Sequence, residues 1–229
     1  MSLSSLITIY VYFPRMEPSE KIYVKLPRNI DDAKRLGAVL YRYKDNHYYT
    51  VLGAVFVTYI FLQSFAIPGS IFLSILSGYL FSFYVALTLV CTCSAVGASI
   101  CYLLSFLLGR RLLQHYFAAK IKTWSIKVAN HRRHMLNYMI FLRITPIIPN
   151  WFINLSSPVL EVPFWPFFWG TFIGVAPPSF LAIQTGTTLQ QLTSSSDGVS
   201  LYSVAGLGVL ALLSLAPVIW KEKLKERFD

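Results

Sequence analysis

Arg143 is the only basic side chain within the apolar body of this sequence, and its surroundings are chemically suggestive. The run from Met139 to Ile148 is apolar apart from Arg143 and Thr145, and Asn150 and Asn154 follow it. A planar guanidinium beside amide groups can hold a phosphate through several hydrogen bonds. A charge at the centre of a membrane helix costs about 2.5–3.5 kcal/mol, so the pattern predicts a polar position of functional value.

Two further roles of Arg143 stay open. The side chain could extend its charged end toward a membrane interface while its apolar stem stays buried. It could also donate to carbonyl groups that are freed near Pro146, because proline interrupts the hydrogen-bond ladder of a helix. Either role is compatible with binding a lipid phosphate.

Motifs for other chemistries are missing from the sequence. It has no GxxxxGK[ST] phosphate loop, no HExxH, no GxSxG and no pair of intramembrane carboxylates, which argues against an ATP-driven pump and against an enzyme. His131 and His134 lie in a basic stretch, and the cysteines lie in one apolar run without CxxC or Cys/His spacing: Cys91, Cys93 and Cys101. We therefore expect no metal site and no cofactor.

Composition and charge distribution favour a membrane protein. Of 229 residues, 55% are hydrophobic and 13% are charged, against roughly a quarter charged in a typical globular chain. The formal net charge is +10, and the basic residues cluster at 15–44, 110–133 and 221–227 with apolar runs between them. This clustering favours an anionic membrane face over nucleic acid as the partner.

Four apolar segments are long enough to cross a bilayer, which requires about 20 residues. They are 48–67, 84–108, 163–185 and 201–220. Two further apolar segments are broken: 68–83 begins with Pro68-Gly69, and 137–160 contains three prolines. Segment 1–13 is short for a span, and we interpret it as interfacial or as the remnant of an additional first helix.

Two stretches have the pattern of amphipathic helices on a membrane surface. In the first, Asn29 can cap a helix whose first turn carries Asp31 and Asp32. A solvated linker helix is the alternative there. In the second, Ile121, Trp124 and Val128 share one face of a basic helix.

We divide the chain into an N-terminal region at 1–46, a transmembrane domain at 47–220 and a basic tail at 221–229.

The positive-inside rule gives an orientation. It places the C-terminus in the cytosol together with 110–136 and 28–44, and it places 186–200, which has no Lys or Arg, on the lumenal side. The two broken segments then make no net crossing, so 68–83 enters from the lumen and 137–160 from the cytosol. We predict an all-α polytopic membrane protein, an inverted repeat with two opposed re-entrant helical hairpins plus amphipathic interfacial helices.

Broken helices at membrane depth need a polar interior, since lipid offers no partner for free backbone groups. The predicted polar path consists of the helix breaks and the polar groups near them: Pro68, Gly69, Arg143, Pro146, Asn150 and Asn154. Four glycines are expected at helix contacts: Gly97, Gly109, Gly170 and Gly174. Gly170 and Gly174 could serve packing within the chain, which we favour, or a dimer face.

The ordered set of these motifs resembles the DedA, or VTT-domain, membrane family. The resemblance rests on Phe65-Ala-Ile-Pro-Gly-Ser70, then Gly97-Ala-Ser99 with Tyr102, then Phe141-Leu-Arg143 with Pro146, and it extends over about residues 25–229. Bacterial members usually carry acidic residues near the first loop, where this chain has Gln63, Ser64 and Ser70. They also tend to have a second arginine, where this chain has Pro149-Asn150.

The resemblance implies ATP-independent phospholipid scrambling in the endoplasmic reticulum membrane. It also implies roles in autophagosome formation and lipid mobilisation, with bridge-like lipid-transfer proteins and related VTT-domain proteins as partners. The missing acidic residues favour passive scrambling over proton-coupled transport. Two alternatives stay open, namely a proton-coupled transporter of an anionic lipid or solute, and a structural protein that organises the membrane.

Overall fold

The computed structural model describes residues 20–109, 125, 128, 132–145 and 148–194. All regular secondary structure in these ranges is helical. The α-helices are α1 (Ile30–Lys44), α2 (Tyr48–Ser64), α3 (Ser70–Leu80), α4 (Phe83–Leu104), α5 (Met135–Ile144), α6 (Asn150–Val159), α7 (Phe164–Gly174) and α8 (Ala176–Ser194). A π-helical turn, Ser105–Gly109, extends α4.

Two helical stretches of the described chain are long and apolar enough to cross a membrane, namely Phe83–Leu108 and Phe164–Thr193. A helix of 22 residues such as α4 is about 33 Å long, which matches the bilayer hydrocarbon. Trp165, Trp169 and Ile173 are exposed along α7, as expected for a surface that faces lipid. The chain is therefore an all-α membrane protein. The span expected at 201–220 lies outside the described residues.

Helix α1 begins as its sequence predicts, and its apolar face packs on α3. The side chain of Asn29 accepts a hydrogen bond from the Asp32 amide at 2.7 Å and so caps the helix. Ala33 is buried in one cluster with Ile75 of α3, and a Cβ on Gly37 would lie 2.8 Å from the Tyr79 ring. The apolar face of α1 therefore covers α3, and the position of α1 relative to the membrane surface stays a prediction. The second amphipathic candidate lies almost wholly outside the described residues.

Helices α2 and α3 form a hairpin. The turn between them contains Ala66 with a left-handed φ of 55° and Gly69 with a φ of 119°. The Tyr48 ring at the start of α2 packs 5.6 Å from Phe81, directly after α3. Midway along the pair, the hydroxyl groups of Tyr59 and Ser74 are 3.1 Å apart. The chain therefore returns along α3 to the level at which α2 began.

Helix α4 then runs beside α2 in the same direction. The Cys93 thiol contacts the carbonyl of Phe56, and further along a Cβ on Gly97 would meet Gln63. This corrects the expected order of a crossing at 48–67 followed by a separate re-entrant segment at 68–83, because these stretches are the arms of one hairpin. The sides of the membrane on which 28–44 and 110–136 lie stay a prediction.

The second half of the chain repeats this pattern. Helices α5 and α6 have 10 residues each, so each is about 15 Å long and too short to cross the hydrocarbon. Residues 60–80 and 140–160 align without a gap and are identical at seven of 21 positions: Ile60/Ile140, Phe61/Phe141, Leu62/Leu142, Ile67/Ile147, Phe72/Phe152, Ser77/Ser157 and Leu80/Leu160. The two hairpins are thus related in sequence as well as in helix order.

The two halves run in opposite directions. Tyr102 near the end of α4 packs 5.7 Å from Phe164 at the start of α7. Phe83 at the start of α4 packs 5.3 Å from Phe180 of α8. Helix α4 is therefore antiparallel to the long helix of the other half, as an inverted repeat requires. How deeply either hairpin enters a bilayer stays a prediction.

Helix α8 is longer than the sequence suggested. We expected a loop at 186–200, but α8 continues to Ser194. A Cβ on Gly186 would lie 1.9 Å from the Ile75 carbonyl oxygen, so α8 and α3 touch backbone to backbone. The Thr187 hydroxyl donates to the Gly78 carbonyl at 3.1 Å. Close contact with α3 therefore stabilises a helix whose composition resembles that of a loop.

Candidate functional site

Arg143 lies in the last turn of α5 with its guanidinium enclosed by three helices. Only 4% of the residue is exposed. Nη1 donates to the Asn150 side-chain oxygen at 3.1 Å, and Nη2 donates to the oxygens of Asn154 at 2.7 Å and Thr171 at 2.9 Å. The hairpin therefore brings together Arg143, Asn150 and Asn154, which the sequence placed in one polar path.

Local chain geometry sets these positions. Asn150 begins α6 and Asn154 follows one helical turn later, so both amides project from the same face toward α5. Arg143 is held from the opposite side by α7, because a Cβ on Gly174 would lie 2.7 Å from the Arg143 Cβ. The guanidinium carbon also lies 5.3 Å from the centre of the Phe167 ring.

The cluster has hydrogen-bond donors in excess. Arg143 Nε and Asn154 Nδ2 are buried and have no hydrogen-bond partner among the described atoms. The three acceptors around the guanidinium are neutral oxygens. A buried polar group without a partner costs about 1–3 kcal/mol, and more when the group is charged. The cluster therefore has unpaired donors that a negatively charged acceptor could satisfy.

The site is closed in this conformation. Asn154 is fully buried, whereas Asn150 is partly exposed. The cluster is accessible at Asn150, but Arg143 Nε and Asn154 Nδ2 cannot be reached from outside unless one of the surrounding helices moves.

The other predicted path residues lie apart from this cluster. Pro68 is exposed, and the nearest atom to a Cβ on Gly69 would be the Pro27 carbonyl oxygen at 4.0 Å. Within the described ranges, no hydrogen bond joins the Pro68-Gly69 turn to Arg143. Pro146 lies outside the described residues. The structure therefore groups three of the six predicted path residues in one cluster.

The first hairpin has a neutral cluster in the corresponding place. Ser74, which aligns with Asn154, contacts the Tyr59 hydroxyl at 3.1 Å, and Ser94 donates to that hydroxyl at 3.3 Å. Gln63 aligns with Arg143, and a Cβ on Gly97 would lie 2.5 Å from its Cβ. The two halves therefore share a backbone arrangement, but within the described clusters only the second half contributes a cation.

Thr171 and Phe167 are site residues that the sequence reasoning missed. Thr171 accepts from Arg143 and donates to the Phe167 carbonyl at 2.7 Å. Thr171 lies between Gly170 and Gly174, and both glycines mark the face of α7 that touches α5. The spacing of the two glycines could therefore have indicated that Thr171 faces α5. The sequence analysis predicts only a helix contact at that face, within the chain or in a dimer.

The predicted packing glycines lie at contacts within the chain where they are described. A Cβ on Gly170 would lie 2.5 Å from Met139, and the corresponding atoms on Gly97 and Gly174 would meet α2 and α5. The surroundings of Gly109 fall outside the described side chains. Gly78 and Gly186 form the tightest described contact, and the sequence reasoning had not singled them out as packing residues.

Comparison with known proteins identifies the family. The VTT domain model matches residues 67–188. The chain is 58% identical to the transmembrane protein 41 homolog of Caenorhabditis elegans over 221 residues, which covers 96% of this chain and 90% of that protein. It is 58% identical to transmembrane protein 41B of Xenopus laevis, covering 99% and 81% of the two chains.

The human relative gives the same result. Transmembrane protein 41B of Homo sapiens is 57% identical over 221 residues, which covers 96% of this chain and 76% of the human protein. No solved structure matches the chain. Identity of this extent, together with the matching domain, shows that the chain belongs to the VTT-domain family of membrane proteins, in its transmembrane protein 41B group.

Proposed function

We propose that this protein is an ATP-independent phospholipid scramblase. The observation that supports the proposal is the buried Arg143 guanidinium, whose acceptors are all neutral and whose Nε has no described partner. A lipid phosphate supplies both the negative charge and the acceptor oxygens that this cluster lacks. The acyl tails stay in the bilayer while the head group passes along the helical hairpins.

A scramblase must replace the water that a lipid head group loses when it enters the membrane. A charged head group that enters hydrocarbon loses its water, and this loss is the main barrier to spontaneous movement between leaflets. Arg143, Asn150 and Asn154 offer donors at the position where water would be lost. No chemical bond changes, so neither an enzymatic nucleophile nor an energy source is needed.

The neutral surroundings of Arg143 favour passive movement over proton coupling. A proton-coupled carrier needs a group that gains and loses a proton during each cycle, and an intramembrane carboxylate is a common choice. The hydrogen bonds described for Arg143 go to two amides and one hydroxyl. A flux that depended on an imposed pH gradient would favour the coupled transporter instead.

We further place this activity in the endoplasmic reticulum membrane, with the C-terminus in the cytosol. There it would support autophagosome formation and lipid mobilisation, together with bridge-like lipid-transfer proteins and related VTT-domain proteins. These assignments rest on the family to which the chain belongs.

Reconstitution in liposomes tests the activity. Vesicles with fluorescent phospholipid in both leaflets are treated with a reductant that bleaches only the outer leaflet. We expect bleaching to proceed past half of the signal with the wild-type protein and to stop near half with Arg143→Gln. Arg35→Gln is a matched control, because it removes an exposed charge on α1. Purified wild-type protein that left the inner leaflet protected would refute the proposal.

The same assay addresses the structural alternative. A protein that only organises the membrane is expected to tolerate Arg143→Gln and to lose function on charge reversal at Lys120, Lys122 and Lys127, which lie outside the described residues. Loss of lipid movement in Arg143→Gln with retention in the lysine variant contradicts that alternative.

A further inference from the structure

Access to the buried cluster requires one of its walls to move, and the structure distinguishes between the walls. On the α7 side, Cβ atoms built on Gly170 and Gly174 would lie 2.5 Å and 2.7 Å from side-chain Cβ atoms of α5. These helices are in direct contact along their axes and cannot part without losing that packing. On the α6 side, Arg143 donates hydrogen bonds to the side-chain oxygens of Asn150 and Asn154.

Helix α6 is also bounded by connections that suit a hinge. Pro149 precedes it, and Pro158 within it lacks the amide that would pair with the Asn154 carbonyl. The chain leaves α6 through Glu161, which has a left-handed φ of 63°. Sparsely populated backbone conformations of this kind occur where segments change position. Helix α6, which carries the two asparagine amides, is therefore interrupted at both of its ends.

Two hydroxyl groups of α4 and its π-helical turn fasten this wall to the other half of the molecule. Ser105 donates to the Leu155 carbonyl in the middle of α6 at 2.7 Å. Tyr102 donates at 2.7 Å to the carbonyl of Val162, in the turn that follows α6. Both donors are buried. By contrast, α3 of the first hairpin is held by direct backbone contact with α8 at Gly78 and Gly186.

We propose that Tyr102 and Ser105 are positioning residues that act as a latch, holding α6 over Arg143 and controlling access of the lipid phosphate. Opening separates α6 from α4, breaks these two hydrogen bonds and exposes Arg143 Nε and Asn154 Nδ2. The gating role rests on the proposed function, whereas the mechanical role of the latch does not. The first hairpin stays in place, because its contacts are made by backbone.

Amide hydrogen exchange on the full chain in lipid nanodiscs tests the latch without reference to activity. The double variant Tyr102→Phe/Ser105→Ala is expected to speed exchange in residues 151–160. A lost hydrogen bond corresponds to about threefold to tenfold in an opening equilibrium. Exchange in α7 stays unchanged. Ser99→Ala is the matched control, since Ser99 is a buried hydroxyl of α4 that donates within its own helix to Ala95 at 2.7 Å.

Conservative variants separate the latch from a general loss of structure. Ser105→Thr keeps a hydroxyl and is expected to keep the exchange of the wild type, whereas Ser105→Ala alone raises it. Unchanged exchange in α6 of the double variant, or equal acceleration in α7, overturns the latch. Exchange in α6 that is faster in Ser105→Thr than in the wild type overturns the latch as well.

Lipid movement supplies the second measurement. With α6 loosened, scrambling in liposomes is expected to rise above the wild-type rate, because opening precedes phosphate binding. Faster exchange with unchanged or slower scrambling refutes the gating role of the latch. Faster exchange in a protein whose wild type moves no lipid refutes the proposed function but leaves the latch as a structural device.

Discussion

The contact between α3 and α8 permits a sharp test of the packing. Gly186 lies inside α8, where a Cβ would be 1.9 Å from the Ile75 carbonyl oxygen and 2.8 Å from the Tyr79 amide nitrogen. Both neighbours are backbone atoms, which cannot rotate away as a side chain can. The substitution Gly186→Ala therefore forces the two helices apart.

The size of the effect follows from the geometry. Cβ atoms in proteins essentially never approach other heavy atoms closer than 3.0 Å, so the helices must separate by at least 3.0 − 1.9 = 1.1 Å. A gap of this size forfeits a quarter to a half of each contact's dispersion energy along the interface. Over-packing costs about 3 kcal/mol at its upper range, and alanine regains about 1 kcal/mol of helix propensity. We expect a net loss of about 2 kcal/mol.

Gly53 offers the matched control on α2, since a Cβ there would meet nothing within 4 Å. Gly53→Ala is expected to stabilise by about 1 kcal/mol, because only helix propensity changes. The apparent melting temperatures of the purified variants in detergent should then differ by about 6–12 °C. Equal melting temperatures would show that α3 and α8 are not in backbone contact, and the described packing of the two halves would be wrong.

Three further predictions concern single residues. Arg143→Lys keeps the charge but loses the planar group that bonds two oxygens at once, so its scrambling rate should fall between those of the wild type and Arg143→Gln; a rate equal to wild type contradicts the role of the guanidinium. Ala66→Gly should raise the melting temperature by relieving the left-handed φ of 55°, worth about 1 kcal/mol, and Ala66→Val should lower it. Asn29→Ala removes the cap of α1 and should cost about 1 kcal/mol, detected as faster amide exchange in its first turn; unchanged exchange there contradicts the cap.

Local features of the fold were predictable from short sequence patterns. The cap at Asn29 and the helix break at Pro68-Gly69 both depend on the backbone preferences of a few neighbouring residues. The polar cluster was partly predictable for the same reason, since Asn150 and Asn154 share a helix face whenever α6 is helical. Thr171 was not found, because nothing local indicates which helix packs against Arg143.

The short sequence patterns did not predict which helices pack against each other. An apolar stretch such as 48–67 has the length and hydropathy of a crossing helix. Length and hydropathy do not indicate which helix α2 contacts. The internal repeat between residues 60–80 and 140–160 was a stronger signal, because it relates the hairpins directly. It indicates that the stretch containing Gln63 and the stretch containing Arg143 belong to equivalent structures.

The sequence by itself determined that this chain lies in a membrane, where its helices break, and that one cation lies close to two amides. These properties follow from hydropathy and from the backbone limits of proline and glycine, which act within a few residues. The tertiary structure decided that α3 returns along α2, that α8 continues past Gly186, and that Arg143 is sealed beneath α6. Those outcomes depend on which surfaces meet across the inverted halves, and close packing between distant segments is a property of the whole fold.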